Sequence, residues 1–180
     1  MGIRRSLRTS LVATALAAVV LAGCGSDKSD ADKANEILQK GIAAQNAGDT
    51  VTASVDYNEV LRLDPRNKFA FYNLGLIAQR AADFETARTD YRLALSVDPV
   101  YAAALYNLAI VEKAQGNDET AVDLYERTIA ADDKFASAYL NLGLLQRELG
   151  DKAEGDENLR KAVARDPELA KRIPGGVPAG

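Results

Sequence analysis

The chain has 180 residues, 22 basic against 26 acidic, with one cysteine and no histidine. Without an imidazole it cannot build a histidine-based triad, a histidine general base or a mixed Cys/His metal cluster, and a lone cysteine closes no internal disulfide. A net charge of −4 makes it a poor partner for nucleic acid.

Residues 1–23 begin with Arg4, Arg5 and Arg8 and continue into an apolar run, Leu11–Ala22, that is too short to cross a bilayer comfortably. A basic flank, a short apolar run and small residues before a cysteine read as a secretory signal. Leu21-Ala22-Gly23-Cys24 resembles a bacterial lipobox. That resemblance implies cleavage of residues 1–23, a diacylglyceryl group on the Cys24 sulfur, and export to a membrane-anchored position. The anchor lies on the outer face of the cytoplasmic membrane or, in a two-membrane host, in the outer membrane. Two or more acyl chains hold a protein stably where one is marginal. Cleavage takes away three arginines and no acid, leaving 19 basic residues against 26 acidic ones, a net of −7. Contact with the membrane is therefore expected through the lipid alone. The rest of 24–33 is polar and aperiodic and reads as a flexible tether; its eight residues Gly25–Asp32 reach at most ~28 Å.

From residue 34 the sequence repeats every 34 positions. Gly75 aligns with Gly41, Ala109 and Gly143; Ala87 with Ala53, Ala121 and Gly155; Tyr91 with Tyr57, Tyr125 and Leu159; Pro99 with Pro65, Asp133 and Pro167. Within the second unit Phe71, Leu74, Ile77 and Ala78 recur at spacings of three and four, as do Phe84, Ala87, Tyr91, Ala94 and Leu95. Each unit is thus a pair of amphipathic helices, and the units stack as an array. Asp83, with its counterparts Asp49, Asn117 and Asp151, stands where a helix N-cap is needed. Gly48, Ala82, Gly116 and Gly150 stand at the corner before it, where a left-handed residue ends the first helix. Asp-Pro then ends the second helix. The aligned Tyr57, Tyr91 and Tyr125 occupy a core position.

The pattern of Phe71, Leu74 and Gly75, then Ala87, Tyr91, Ala94 and Pro99, resembles the tetratricopeptide repeat family. The resemblance implies an all-α, right-handed solenoid of four helix-turn-helix units, 34–67, 68–101, 102–135 and 136–169, with eight helices in all. Three units depart from the pattern. The first has Lys40 and Ala44 at apolar positions, the third Ala109 for glycine and Asp133 for proline, and the fourth Gly155 for alanine. Glycine inside that last helix is expected to cost ~1 kcal/mol and to make the final unit fray first. Pro174, Gly175, Gly176 and Pro178 forbid a further full helix, so 170–180 reads as a disordered tail. The last helix, with Leu159, Ala162 and Val163, is then left partly bare or paired with a second copy of the chain.

By the same resemblance the first helices line a concave groove. Its candidate binding residues are Phe69, Tyr72, Asn73, Leu76 and Arg80 from the second unit, Tyr106, Asn107, Ile110 and Lys113 from the third, and Leu140, Asn141, Leu144 and Arg147 from the fourth. Asn73, Asn107 and Asn141 form a ladder of amides, each with a donor and an acceptor for the backbone of an extended peptide. Packed helices lie about 8–10 Å apart and a strand rises about 3.3 Å per residue, so one rung serves about every third ligand residue. A similar ladder holds peptides in the repeat region of O-linked N-acetylglucosamine transferase. Alternatively, asparagine here is a local packing choice. The family's two-carboxylate clamp is not supported, because Leu38, Ile42 and Ala103 stand where basic or amide residues are needed and only Asn107 fits.

These readings point to a lipid-anchored adaptor or assembly scaffold that binds a protein or peptide partner of the cell envelope. A carrier of a small hydrophobic ligand or acyl chain in the same groove is the alternative. Neither needs a cofactor, a metal or a catalytic residue.

Overall fold

A computed structural model describes residues 28–179. The helical periodicity becomes eight α-helices: α1 (Asp30–Asn46), α2 (Thr50–Leu63), α3 (Lys68–Arg80), α4 (Phe84–Val97), α5 (Ala102–Ala114), α6 (Asp118–Ala131), α7 (Ala136–Leu149) and α8 (Lys152–Arg165). A short 3-10 helix, Pro167–Arg172, follows. Each helix packs on the next, and α1, α3 and α5 touch in succession, so the first helices of the units form one layer and the second helices the other. The result is an all-α solenoid whose core is the sum of the interfaces between units.

Local chemistry sets the corners. The Asp49 and Asp83 carboxylates accept from the backbone N–H groups of Thr52 and Thr86 at 2.9 and 3.2 Å, capping α2 and α4. The residue before each of these corners is left-handed, with φ of 84° at Gly48, 58° at Ala82, 78° at Gly116 and 103° at Gly150. Ala82 adopts without glycine a conformation that its Cβ resists. At the other end of each unit Asp64, Asp98, Asp132 and Asp166 each accept from the N–H two residues on, at 3.0–3.2 Å. That turn forms equally at Asp132-Asp133, which explains why the third unit manages without its proline.

Tyr57, Tyr91 and Tyr125 are buried to 1% exposure or less. A Cβ added at Gly41 or Gly75 would stand 2.7 Å from the ring of Tyr57 or Tyr91, so glycine there makes room for the phenol. Gly155 has a different reason. A Cβ on it would meet the Gly143 carbonyl at 2.7 Å, and the reverse holds for Gly143, so α7 and α8 approach until backbone meets backbone. The glycine in α8 is therefore a packing requirement and not only a loss of helix propensity.

Both ends of the array are finished in ways that correct the sequence expectations. The exposed face of α1 carries Glu36 and Lys40 where the second unit has Ala70 and Leu74, and Glu36 pairs with Lys28 and Lys40. Lys40 is the polar face of an end unit. The tether is also shorter than 24–33, because Ser29 caps α1 in a reciprocal box with Asp32 and residues 30–33 form its first turn. At the far end the tail does not stream away from α8. Leu169 and Ile173 are 6% and 5% exposed and pack on Tyr139, Leu140, Leu159 and Ala162, and Arg160 donates to the Ala179 carbonyl at 3.0 Å. Leu169 ends the fourth unit, aligned with Tyr101 and Phe135 at the 34-residue spacing, and the residues after it form the stub of a fifth unit. Covering α8 removes the bare surface on which pairing with a second copy rested.

A buried carboxylate that the sequence reading passed over pins the second unit to the third. Glu112, 2% exposed, accepts from Arg88 at 3.0 and 3.2 Å, from Arg92 at 3.1 Å and from Asn117 at 2.8 Å. Four N–H donors compensate the loss of water around that charge.

Candidate functional site

The first helices carry the groove residues on a shared face because the unit length, 34, returns each position to the same angle around the array. Towards α1, a cavity of about 490 Å3 is lined by Leu38, Ile42, Phe69, Tyr72 and Tyr101 with the amides of Asn35, Gln39, Asn67 and Asn73. Between α5 and α7, a second of about 310 Å3 is lined by Tyr106, Ile110, Tyr125, Asn141 and Leu144, with Lys113, Glu148 and Arg172 at its edge. Leu76 is half-buried between them, packed on the core.

The three asparagines lie in register, but each already donates at least one amide N–H within the array. Asn73 donates to the Phe69 carbonyl at 2.8 Å. Asn107 donates to the Ala103 carbonyl at 3.0 Å and to the Tyr72 hydroxyl at 3.1 Å. Asn141 lies 3.0 Å from the Tyr106 hydroxyl and 3.4 Å from that of Tyr125. A carbonyl can only accept, so the orientation of Asn73 and Asn107 is fixed with Nδ2 as the donor, and Oδ1 is the group left to accept from a ligand. The rungs are thus not free two-way amides. Each Tyr-Asn couple offers a phenol proton, from Tyr72 or Tyr106, beside an asparagine oxygen on the next unit. That is again one donor and one acceptor for a peptide bond, supplied by two side chains. Burial raises the Tyr72 phenol above its ordinary value, so it keeps its proton at neutral pH.

The rings are held from behind. Tyr72 stands 5.2 Å from Tyr101, and Tyr106 4.8 Å from Phe135, centroid to centroid. Phe69 is 45% exposed and meets Tyr101 edge-on at 5.9 Å. Lys68 lies 5.1 Å from both the Phe69 and the Tyr101 rings and pairs with Asp98 at 2.6 Å. Burial pushes the Tyr101 phenol up to about 12. The sequence reading missed Tyr101 and Phe135, although their recurrence at one repeat position was visible. It also left the amides of the first unit out of the site.

Three expected groove residues are otherwise engaged. Leu140 is fully buried, because Leu169 and, from the fifth-unit stub, Ile173 cover it. Arg147 is drawn to α8, where Asp156 accepts from its Nε at 2.5 Å. Lys113 remains in the groove but pairs with Glu148. Arg80 is exposed at the end of α3; burial raises the Tyr57, Tyr72 and Tyr91 phenols, and Arg80 is close enough to offset a small part of that rise. Cys24 lies outside the described residues.

A stack of helix pairs with cavities between its first helices, lined by apolar, phenol and amide groups, defines a protein-interaction scaffold built from helical repeats. The chain belongs to the tetratricopeptide repeat family: models of that repeat match residues 72–134 and 136–169, together more than half of its length. No curated protein matches it. Among solved structures it is similar to MamA from Desulfovibrio magneticus RS-1, at 26% identity over 78% of this chain and 79% of that one, with a TM-score of 0.69. It is also similar to an O-GlcNAc transferase from Thermobaculum terrenum, at 25% identity and a TM-score of 0.70 over 78% of this chain but 28% of that enzyme. Pseudomonas aeruginosa pilF shares the fold at 22% identity, over 80% of this chain and 66% of that one, with a TM-score of 0.71.

Proposed function

We propose that this protein is an exported lipoprotein, anchored through Cys24, that holds an extended segment of a partner polypeptide in its concave groove. The partner belongs to the cell envelope. The observation that carries the groove reading is the pair of Tyr-Asn couples, Tyr72 with Asn107 and Tyr106 with Asn141, each joined across a unit boundary. Their phenol protons and amide oxygens match the C=O and N–H of a peptide whatever its side chains are. A lipid tail would leave these polar groups unpaired, at a cost that disfavours the carrier alternative. The anchor reading rests on Leu21-Ala22-Gly23-Cys24 behind a basic and apolar leader. Since α1 is capped at Ser29, residues 25–29 span at most ~18 Å and keep the array near the membrane surface.

Replacing both groove phenols, Tyr72→Phe with Tyr106→Phe, keeps the rings and removes the donors. At about 0.5–1.5 kcal/mol per hydrogen bond, the double variant is expected to bind the partner roughly 5- to 150-fold more weakly with little change in fold. Native mass spectrometry of the protein from detergent-solubilised membranes reads the occupant. A lipid in place of a polypeptide, indifferent to the two substitutions, would overturn the proposal. Metabolic labelling with an alkynyl fatty acid, lost in Cys24→Ser, tests the anchor.

A further inference from the structure

The groove is more positive than the molecule around it. Its first-unit wall is uncharged, consisting of Asn35, Leu38, Gln39, Ile42 and Gln45. Its acids are already neutralised, Asp98 by Lys68 and Glu148 by Lys113. Two cations are left over: among the described residues neither Arg80 nor Arg172 pairs with a carboxylate. Arg172 reaches the cavity between α5 and α7 because the fifth-unit stub folds back over Leu140. Arg80 holds in the second unit the position that Glu148 holds two units later, so the repeat register sets it beside the corresponding slot between α1 and α3, beyond the residues that line the cavity towards α1. The slot between α3 and α5 has Gln79 and Ala114 at these positions and is neutral. The floor thus carries one uncompensated positive charge, a neutral stretch, and a second positive charge, in a chain whose net charge is negative.

We propose that the occupant of this groove is an extended acidic segment, with two carboxylates about six residues apart and small or apolar residues between them. This rests on the groove reading above and specifies what that groove selects. The spacing follows from the stack. The two slots are two unit steps apart, about 20 Å for helices about 10 Å apart, and an extended chain covers that in about six residues of 3.3 Å each. A guanidinium takes a carboxylate in a two-pronged hydrogen bond, which fixes position as well as charge. Between the arginines the Tyr-Asn couples hold the backbone. The arrangement differs from a clamp for a chain end, since its cations sit at opposite ends of the groove and read side chains within a segment.

An array of immobilised decapeptides tests it, each an alanine, leucine and serine background with two glutamates one to nine positions apart, and each with a glutamine counterpart. The probe is the purified chain starting at Gly25, unlipidated. Binding is expected to peak near a spacing of six, about tenfold or more above the glutamine peptide, and to weaken as salt is raised. Arg80→Gln and Arg172→Gln should each remove several-fold of that preference and leave the glutamine peptides unaffected. Equal binding of glutamate and glutamine peptides, still lost in Tyr72→Phe with Tyr106→Phe, would overturn the acidic preference and leave the groove reading standing. Binding of no peptide at all would overturn both.

Discussion

Helix propensity and packing make opposite forecasts for Gly155→Ala. In a helix interior alanine is better than glycine by about 1 kcal/mol, so α8 considered alone should be stabilised. The structure places the new Cβ 2.7 Å from the Gly143 carbonyl oxygen, 3.0 Å from Arg147 Cγ and 3.1 Å from the Arg147 backbone nitrogen. Ordinary contact begins at about 3.4 Å, so α7 and α8 must part by several tenths of an ångström. Two of the three obstructing atoms are backbone and cannot rotate away. Overpacking of this kind costs about 1–3 kcal/mol, which leaves a net destabilisation of about 0–2 kcal/mol after the propensity gain. Parting the helices also loosens Leu159, which lies against Gly143 and belongs to the cluster that the stub seals, so the loss should appear first in the last unit. Urea unfolding followed by circular dichroism, with amide exchange to localise the change, measures both. A gain of ~1 kcal/mol would show that propensity dominates and would refute the close-approach account.

Other consequences can be checked by the same methods. Glu112→Ala leaves Arg88 without its main partner, and with Glu85 still bound to Arg88 a loss of about 2–3 kcal/mol is expected; a loss under ~0.5 kcal/mol would deny the cluster any role in stacking. Ala82→Gly relieves a φ of 58° and should stabilise by about 0.5–1 kcal/mol in thermal melts, where no gain would mean that the corner is unstrained. Burial, with Asp83 nearby, raises Asp90 from 3.8 to about 6. The native state therefore binds a proton that the unfolded chain releases between pH 4 and 6, and its stability from this group rises as pH falls through that window. Asp90→Asn should accordingly stabilise at pH 7 by about 1–2 kcal/mol, less than the full difference because the group is partly solvated, and should lose that advantage near pH 4. A pH-independent effect would contradict this.

What the sequence revealed was whatever repeats. The 34-residue period located every helix pair, and the corner residues Gly48, Asp83 and Gly116 marked turns whose geometry needs them. It also placed Asn73, Asn107 and Asn141 on one strip. Interactions that occur once were not legible. Glu112 looks like any surface glutamate until Arg88 and Arg92 converge on it from another helix. The engagement of the asparagine amides by Tyr72 and Tyr106 depends on side chains one unit away, which position alone does not reveal. The tail misled for a related reason. Proline and glycine do exclude a full helix after Arg172, yet Leu169 and Ile173 need only one 3-10 turn to cover Leu140. Lys40 and Gly155, irregular when each unit is compared with the pattern, make sense once the ends of the array and the closeness of α7 to α8 are known.

The central claim is that the concave face holds a polypeptide. Photocrosslinking in cells tests it, with a benzoylphenylalanine at Tyr106 in the groove and, as a control, at Val55, which is 64% exposed on α2. The account predicts a discrete protein adduct from the Tyr106 site, lost in Arg80→Gln with Arg172→Gln, and no such adduct from Val55. Adducts from Val55 alone, or lipid as the only species trapped at Tyr106, would contradict it.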